Sequence, residues 1–193
     1  AMKKLGIDTN KPILVITGGS LGSRFINNKV WSEIKDLTET FFVIHLTGKN
    51  NINDRYKNEK DYKQIDFTMD MGSILSSADI VVSRAGSNTI FELAVMRKPM
   101  LLIPLPKGNS RGDQVDNAKY FNSQGIANFV TEDQLDSERL SKHILQTYKE
   151  KDKLISNLKK SKIEPGNKKI LEIIMNNTKP DIQDKDLKEK TNR

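Results

Sequence analysis

The chain has 193 residues, of which 36% are apolar, so it is long enough to bury one substantial hydrophobic core. It contains no cysteine, which excludes a disulfide framework and any thiolate metal site. The formal net charge of +7 suits an anionic ligand, but basic and aromatic residues do not alternate on one predicted face, and we expect no nucleic-acid partner.

Short apolar runs alternate with stretches of helical periodicity along the chain. None of the runs approaches the roughly 18 residues that a membrane-spanning helix needs. Runs that are apolar throughout are typical of parallel strands with helices on both faces. The sequence therefore predicts a Rossmann-like α/β fold, with three layers around a parallel sheet of about six strands. The predicted strands are residues 12–17, 41–47, 62–67, 80–82, 100–103 and 126–130.

Helices are predicted where apolar residues recur three or four positions apart. Residues 48–60, which are rich in Asn and Lys, predict a mobile loop. Residues 178–193 are charged and nearly devoid of apolar groups, so we expect a disordered tail there. Residues 1–10 are expected to be a boundary or linker segment before the first strand. The helices are predicted within residues 26–37, 90–94, 115–121, 135–148, 151–162 and 167–176.

A glycine-rich turn, residues 18–23 with the sequence GGSLGS, directly follows the first predicted strand. Ligands of parallel sheets bind beyond the carboxyl ends of the strands. The backbone at Gly18, Gly19 and Gly22 can approach a diphosphate closely, and the Ser20 hydroxyl can donate a hydrogen bond to it. The spacing matches neither a Walker loop nor the Rossmann G-x-G-x-x-G pattern, which disfavours NAD binding. The alternative is a turn that only connects a strand to a helix.

A second motif, residues 83–92 with the sequence SRAGSNTIFE, follows the fourth predicted strand and opens a helix. Backbone N–H groups at a helix N-terminus lack partners and attract anions. Glu92 lies far enough into this helix to accept hydrogen bonds from a ribose rather than repel the phosphates. The alternative is that Gly86 only turns the chain, that Ser87 or Asn88 caps the helix, and that Glu92 is a solvated acid.

A third motif, residues 104–118, consists of a polar loop after the fifth predicted strand and the start of a helix. Asp113, Gln114 and Asn117 lie near the start of that helix. Short polar groups of this kind can hydrogen-bond sugar hydroxyls. The alternative is a long surface loop in which Asp113 caps the helix.

The three motifs, in this order at one edge of one predicted sheet, resemble the C-terminal half of the MurG family of N-acetylglucosaminyltransferases. The resemblance covers residues 11–177 and implies a UDP-sugar donor-binding domain. The expected architecture is one half of a GT-B fold, in which two Rossmann-like domains face each other and the C-terminal one holds UDP-N-acetylglucosamine (UDP-GlcNAc). The family's N-terminal half, which binds the lipid-linked acceptor, has no counterpart here. We therefore expect an excised donor domain that is inactive alone.

The resemblance also implies a role for each motif residue. Arg84 would be either a cation near the phosphates or an anchor behind them, and Asn117 either a sugar contact or an anchor of its loop. Gly18, Gly19, Ser20, Gly22, Gly86, Ser87 and Thr89 would face the donor diphosphate, Glu92 the ribose, Phe67 and Thr68 the uracil, and Asp113, Gln114 and Asn117 the sugar.

In the full-length family, GlcNAc moves from UDP-GlcNAc to the C4 hydroxyl of a lipid-linked muramyl-pentapeptide, with inversion, during peptidoglycan synthesis. The resemblance thus implies a cytoplasmic enzyme that is peripheral on the inner face of the cell membrane. No Asp-x-Asp signature precedes a suitable strand, so we expect no essential metal, and we expect no cofactor.

Neither His45 nor His143 fits a catalytic base, because the first lies between apolar neighbours and the second on a Lys-rich helix. No catalytic residue is therefore assigned in this chain. Two alternatives to the peptidoglycan enzyme stay open. One is the donor subunit of another GT-B glycosyltransferase that needs a partner subunit, and the other is a UDP-sugar-binding module without turnover.

Overall fold

The computed structural model describes residues 6–106, 113–161 and 163. Its strands are β1 Ile13–Thr17, β2 Phe42–Leu46, β3 Tyr62–Ile65, β4 Ile80–Ser83, β5 Met100–Leu102 and β6 Asn128–Phe129. They form one parallel sheet in the order β3-β2-β1-β4-β5-β6, which confirms the predicted Rossmann-like α/β fold. The predicted helix at 167–176, the part of the predicted donor domain beyond residue 163 and the charged tail at 178–193 lie outside the described residues.

Helices cover both faces of the sheet. They are α1 Arg24–Ser32, α2 Ile34–Thr40, α3 Met71–Ser77, α4 Ser87–Val95, α5 Asp113–Ser123, α6 Glu132–Ser137, α7 Leu140–Lys149 and α8 Lys151–Lys160. None of the helices in the described ranges is long and apolar enough to cross a membrane. The helix α3 was not predicted from the sequence.

Strand β1 shows why the sheet is covered on both sides. Its side chains alternate between two core layers, with Ile13 and Val15 in one and Leu14 and Ile16 in the other, and all four are buried. The first layer contains buried side chains of α3, α4, α5 and α8, and the second those of α1, α2, α6 and α7. A strand in this position has no solvent face, which explains its continuous apolar sequence.

The single helix predicted at 26–37 is divided in the structure into α1 and α2 at Glu33. Glu33 leaves helical geometry, with φ −117° and ψ 13°, and its side chain is almost fully buried. The carboxylate accepts hydrogen bonds from the backbone N–H groups of Leu140 and Ser141, at 3.0 and 2.9 Å. These two groups lie at the start of α7, and the N-cap residue of that helix, Arg139, makes no side-chain capping bond. The break therefore lets a carboxylate from one helix cap another, where the helix dipole favours negative charge.

Residues 48–60, predicted as a mobile loop, contain a short 3-10 turn at Asp54–Tyr56. Asn53 donates its backbone N–H to the Gln64 side chain at 3.0 Å, and the Gln64 amide donates back to the Asn53 carbonyl at 2.9 Å. This reciprocal pair attaches the loop to β3.

The glycine-rich turn after β1 packs directly against the loop after β2. Gly22 has φ +77°, and a Cβ placed on it would lie 2.0 Å from the carbonyl oxygen of Thr47. Gly48 has φ +87°, and its Cβ would lie 2.4 Å from the Gly22 nitrogen. Both positions therefore need glycine for conformation and for space.

The substitution Gly22→Ala should lower the free energy of unfolding by at least about 2 kcal/mol. The alanine would have to adopt a left-handed backbone conformation, and its Cβ would collide with the Thr47 carbonyl. The matched control is Gly72→Ala in α3, where nothing lies within 4 Å of the new Cβ. That substitution should raise stability by up to about 1 kcal/mol. Urea unfolding of both variants measures the difference, and equal stabilities would contradict the packing described for the turn.

Candidate functional site

Two adjoining cavities open at the carboxyl ends of the strands, where the strand order reverses between β1 and β4. Thr17 at the end of β1 lies opposite Ser83 at the end of β4. The first cavity, of about 180 Å³, is lined by residues that follow β1, β3 and β4, and the second by residues that follow β1, β4 and β5. Their shared walls are Gly19, Ser20, Arg84 and Thr89, so the two cavities are halves of one groove.

The turn at 18–23 forms the boundary between the two halves. Gly19 and Ser20 line both, whereas Gly18 and Gly22 line only the second. A Cβ on Gly18 would lie 2.4 Å from the nitrogen of Ser23, so the turn is tightly closed on itself. Gly19 has φ +94° and open space beside it. The turn thus exposes backbone to the groove on one side and packs glycine against protein on the other.

The N-terminus of α4 opens onto the groove. Its first flanking residue is Gly86, whose φ of −69° and ψ of 135° direct the chain into the helix, and no side chain caps it. The alternative in which Ser87 or Asn88 acts as the N-cap is therefore wrong. Gly86 and Thr89 line the groove, and Ser87 is exposed outside its walls. Uncapped N–H groups at the start of a helix present partial positive charge to an anion.

Glu92 lines the first cavity three residues beyond Thr89, on the same side of α4. Its side chain is exposed, and within the described part of the chain no hydrogen bond or ion pair to its carboxylate is found. The carboxylate therefore has its acceptor capacity available for a ligand in this cavity.

Phe67 and Thr68 also line the first cavity, and neither lines the second. Phe67 is 56% exposed, although it is a large apolar side chain. Its backbone N–H donates to its neighbour Asp66 at 2.8 Å, and the Thr68 hydroxyl accepts from the backbone of Asp70 at 3.0 Å. Together with Met71, Phe67 and Thr68 give the first cavity a mixed apolar and polar wall.

Arg84 lies between the two halves, but its guanidinium is held by protein groups. It donates to the Ser23 hydroxyl at 2.6 Å and to the carbonyls of Ile103 and Pro104 at 3.2 and 3.4 Å. It also pairs with Glu132 at 2.6 Å, with side chains only 11% and 17% exposed. Of the two roles considered for Arg84, these contacts favour an anchor of the surrounding loops over a cation that contacts the phosphates.

Residues 107–112 of the third motif lie outside the described residues, and the rest of the motif is only partly brought into the groove. Gln114 lines the second cavity, and its side-chain oxygen accepts from the backbone N–H of Leu105 at 3.1 Å. Asn117 donates to the carbonyl of Ala85 at 3.1 Å, so it ties α5 to the loop after β4. Asp113 is exposed, lies outside the cavity walls, and accepts from the N–H of Gln114 at 3.0 Å. The sugar contact assigned to Asp113 and Asn117 stays a prediction, as do the roles of the other site residues.

Both histidines have structural surroundings. His45 is fully buried, and burial lowers its pKa to about 3, which keeps the ring neutral. His143 on α7 lies 2.9 Å from the carboxylate of Glu138. Neither residue lines the groove, and the expectation that this chain supplies no catalytic base stays a prediction. In residues 6–106, 113–161 and 163 no group of three or more His, Asp or Glu side chains could hold a metal ion, and the expectation of no essential metal stays a prediction.

Several residues that line the groove were not predicted as site residues, among them Ser23, Asp66, Met71 and Glu132. Glu132 begins α6 just after β6, so the rule that ligand residues follow strand ends would have found it. Asp66 and Met71 follow β3 in the same way. Ser23 was inside the quoted glycine-rich motif, and its role as N-cap of α1 and partner of Arg84 depends on tertiary contacts.

The model of the glycosyltransferase family 28 C-terminal domain matches residues 13–177. The chain belongs to this family. Because the match spans the three strand-end motifs, it confirms the resemblance inferred from the sequence.

Two curated relatives carry the name UDP-N-acetylglucosamine--N-acetylmuramyl-(pentapeptide) pyrophosphoryl-undecaprenol N-acetylglucosamine transferase. The protein from Clostridium botulinum (strain Kyoto / Type A2) is 40% identical over 92% of this chain and 51% of its own length. The one from Clostridium perfringens (strain SM101 / Type A) is 42% identical over 86% of this chain and 46% of its own length. The chain therefore spans about half the length of the curated relatives it matches.

Among solved structures, MurG from Acinetobacter baumannii matches with a TM-score of 0.69 and 23% identity, over 88% of this chain and 51% of that one. The glycotransferase of kitacinnamycin matches with a TM-score of 0.64 and 16% identity, over 77% and 37%. These likenesses support the same half-domain architecture at the level of the fold.

Breaking the ion pair of Arg84 and Glu132 should be costly because both side chains are largely buried. Arg84→Met leaves the Glu132 carboxylate without its partner and should lower the free energy of unfolding by about 3 kcal/mol. The double variant Arg84→Met with Glu132→Gln should recover part of that loss.

Lys142→Met is the control, because its pair with Glu138 is 3.8 Å long and its side chain is 75% exposed. That change should cost less than about 1 kcal/mol. Urea unfolding that shows the double variant no better than Arg84→Met would contradict the pairing.

Proposed function

We propose that this chain is the donor-binding domain of an inverting N-acetylglucosaminyltransferase and that its groove binds UDP-GlcNAc. The observation that carries the proposal is the convergence of the turn at 18–23, the N-terminus of α4 and Gln114 on one groove at the reversal of strand order. Each of these features suits a different part of a nucleotide sugar.

The diphosphate would lie at the boundary between the two cavities. The uncapped start of α4 supplies N–H groups and partial positive charge, and the turn supplies approachable backbone at Gly19 and the hydroxyl of Ser20. Since the charge of Arg84 is already offset by Glu132, the peptide dipoles of the turn and of α4, rather than this guanidinium, would act on the diphosphate.

The nucleoside would occupy the first cavity and the sugar the second. Glu92 would accept hydrogen bonds from the ribose hydroxyls, and Phe67 and Thr68 would border the uracil. On the other side of the diphosphate, Gln114 would contact the GlcNAc hydroxyls. A groove that is divided in this way matches the sequence of groups along UDP-GlcNAc.

In the complete protein the reaction would be a displacement at the anomeric carbon of GlcNAc. The C4 hydroxyl of a muramyl acceptor would form the new glycosidic bond while the bond to the diphosphate breaks and UDP leaves. The diphosphate gains negative charge in that step, and the α4 N-terminus would stabilise it. The acceptor, the base that takes its proton and contact with the cytoplasmic face of a membrane would belong to parts of the protein beyond these residues. The names of the curated relatives, which give a lipid-linked muramyl acceptor, support this assignment.

Glu92 provides the first test of the nucleotide assignment. Glu92→Gln keeps the size of the side chain but removes its charge, so the affinity for UDP-GlcNAc should fall by about ten- to a hundredfold, since hydrogen bonds to charged groups contribute about 1.5 to 3 kcal/mol. The loss should be smaller for dUDP than for UDP, because dUDP lacks the 2′-hydroxyl. Calorimetric titration with UDP-GlcNAc, UDP and dUDP measures these affinities.

The matched control is Asp136→Asn, the same charge change at an exposed position on α6. It should leave both affinities unchanged. If Glu92→Gln lowered the affinities for UDP and dUDP by the same factor, Glu92 would not bind the ribose 2′-hydroxyl. Failure of the parent chain to bind UDP or UDP-GlcNAc would overturn the proposed function.

Gln114 and Asn117 test the sugar half separately. Gln114→Ala should weaken UDP-GlcNAc by about tenfold through the lost hydrogen bond, with UDP affected less than about twofold. Asn117→Ala should weaken both ligands alike, because Asn117 holds the loop at Ala85 rather than the sugar. If Asn117→Ala instead discriminated between UDP-GlcNAc and UDP, the sugar contact predicted from the sequence would replace the anchoring role.

A further inference from the structure

A chain of hydrogen bonds runs through the interior from α1 and β3 to the loop after β2. The indole N–H of Trp31 donates to the hydroxyl of Tyr62 at 3.0 Å, and that hydroxyl lies 2.8 Å from Nδ1 of His45. Nε2 of His45 lies 3.0 Å from the side-chain oxygen of Asn27. The Asn27 amide donates to the carbonyl of Thr47 at 2.9 Å.

The directions of these bonds follow from both ends of the chain. The Asn27 amide nitrogen donates to Thr47, so its oxygen faces Nε2 and must accept from it; Nδ1 of the neutral ring then accepts from the Tyr62 hydroxyl, which itself accepts from Trp31. His45 is therefore the tautomer with its proton on Nε2, and it donates to Asn27. Both N–H groups of the Asn27 amide then remain available for backbone carbonyls, and one of them donates to the carbonyl of Thr47. Burial lowers the pKa of His45 to about 3, so the ring keeps this neutral form.

The hydrogen bonds end at the Thr47 carbonyl, which packs against the turn at 18–23. The Thr47 carbonyl is the group that lies against Gly22, and Gly48 lies against the Gly22 nitrogen and Cα. A second contact joins the same two loops, since the Asn51 amide donates to the carbonyl of Leu21 at 3.3 Å. Gly19 and Ser20, in this turn, line both halves of the groove. A change in the position of Thr47 must therefore move the turn, because there is no free space between them.

We propose that His45 is a positioning residue for the diphosphate part of the ligand: through Asn27 and Thr47 it fixes the shape of the turn at 18–23. The inference rests on the proposed function, because it concerns the same groove. His45 lies outside the groove and acts only through Asn27. It orients the Asn27 amide, and that amide holds the carbonyl against which the turn packs.

The competing explanation is that this cluster contributes only to stability. A general loss of stability reduces the binding of every ligand by the same factor, since it only lowers the folded fraction. A displaced turn reduces binding of the diphosphate more than binding of the nucleoside, because the contacts proposed for uridine, Glu92 and Phe67, lie on other elements. The ratio of UDP affinity to uridine affinity therefore separates the two explanations.

The experiment compares two substitutions of His45 in the full chain. His45→Leu removes both ring nitrogens, so the UDP-to-uridine affinity ratio should fall about tenfold, the size expected when the displaced turn loses one hydrogen bond to the diphosphate. His45→Gln retains a donor near the position of Nε2 and should restore most of the ratio. Tyr62→Phe removes the hydroxyl that orients the ring, and the ratio should fall by a smaller factor. Binding is measured by NMR titration with UDP and with uridine.

The control for stability is Thr147→Val. Thr147 is also buried, and its hydroxyl donates to the His143 carbonyl at 2.9 Å and accepts from Asn128 at 3.2 Å, away from the turn. This variant should lose stability without changing the affinity ratio. If His45→Leu does not fold, Tyr62→Phe decides the outcome by the same ratio.

Hydrogen exchange at the Gly22 amide gives a readout that needs no ligand. This amide donates to the Gly19 carbonyl at 2.9 Å within the turn. Its exchange should accelerate in His45→Leu and Tyr62→Phe and not in Thr147→Val. An unchanged UDP-to-uridine ratio, or an unchanged Gly22 exchange rate, in the His45 and Tyr62 variants would overturn the proposal. If the parent chain bound no UDP, the proposed function would fail and Gly22 exchange alone would decide the positioning role.

Discussion

The parallel pairing of β1 with β4 is the constraint on which the candidate site depends. It brings Thr17 and Ser83 side by side, so the turn at 18–23 and the loop before α4 leave the sheet at the same point. The chain then continues from β1 to β2 on one side and from β4 to β5 on the other. Because the two connections run in opposite directions, a groove remains between them, and both helix N-termini, of α1 and α4, face it.

The two sides of that groove are built differently. At α4 the helix start is uncapped, with Gly86 as its flanking residue, and so it can receive a ligand. At α1 the N-terminus is capped by Ser23, whose hydroxyl also accepts from Arg84. One helix start is thus left without a side-chain cap, while the other holds the turn and the β4 loop together. Gly18 and Gly22 of the turn serve this second, structural purpose, since both are packed against protein.

The sequence predicted the sheet and the positions of its strands because buried parallel strands are apolar throughout, a local signal. It did not predict the division of 26–37 at Glu33, because that break depends on N–H groups 107 and 108 residues away. The helix α3 was missed since its short sequence, with Gly72 and three serines, has weak apolar periodicity. The residues of the three motifs were predicted from their places at strand ends, whereas Phe67 and Thr68 were predicted from the family resemblance. Which of Asp113, Gln114 and Asn117 faces the groove depends on the rotation of α5, which sequence spacing does not fix.

The pairing of Arg84 with Glu132 has a consequence for how the groove responds to ionic strength. A site built from exposed lysines attracts anions over long distances, and dissolved salt screens that attraction. Here the guanidinium carries its counter-charge 2.6 Å away, so its far field is largely cancelled. The Arg84 guanidinium therefore adds little long-range attraction to a groove whose other charged walls include Arg24, Asp66 and Glu92. Dissolved salt should accordingly change little of what Arg84 contributes, because that contribution is the closely packed shape of the turn rather than a distant field.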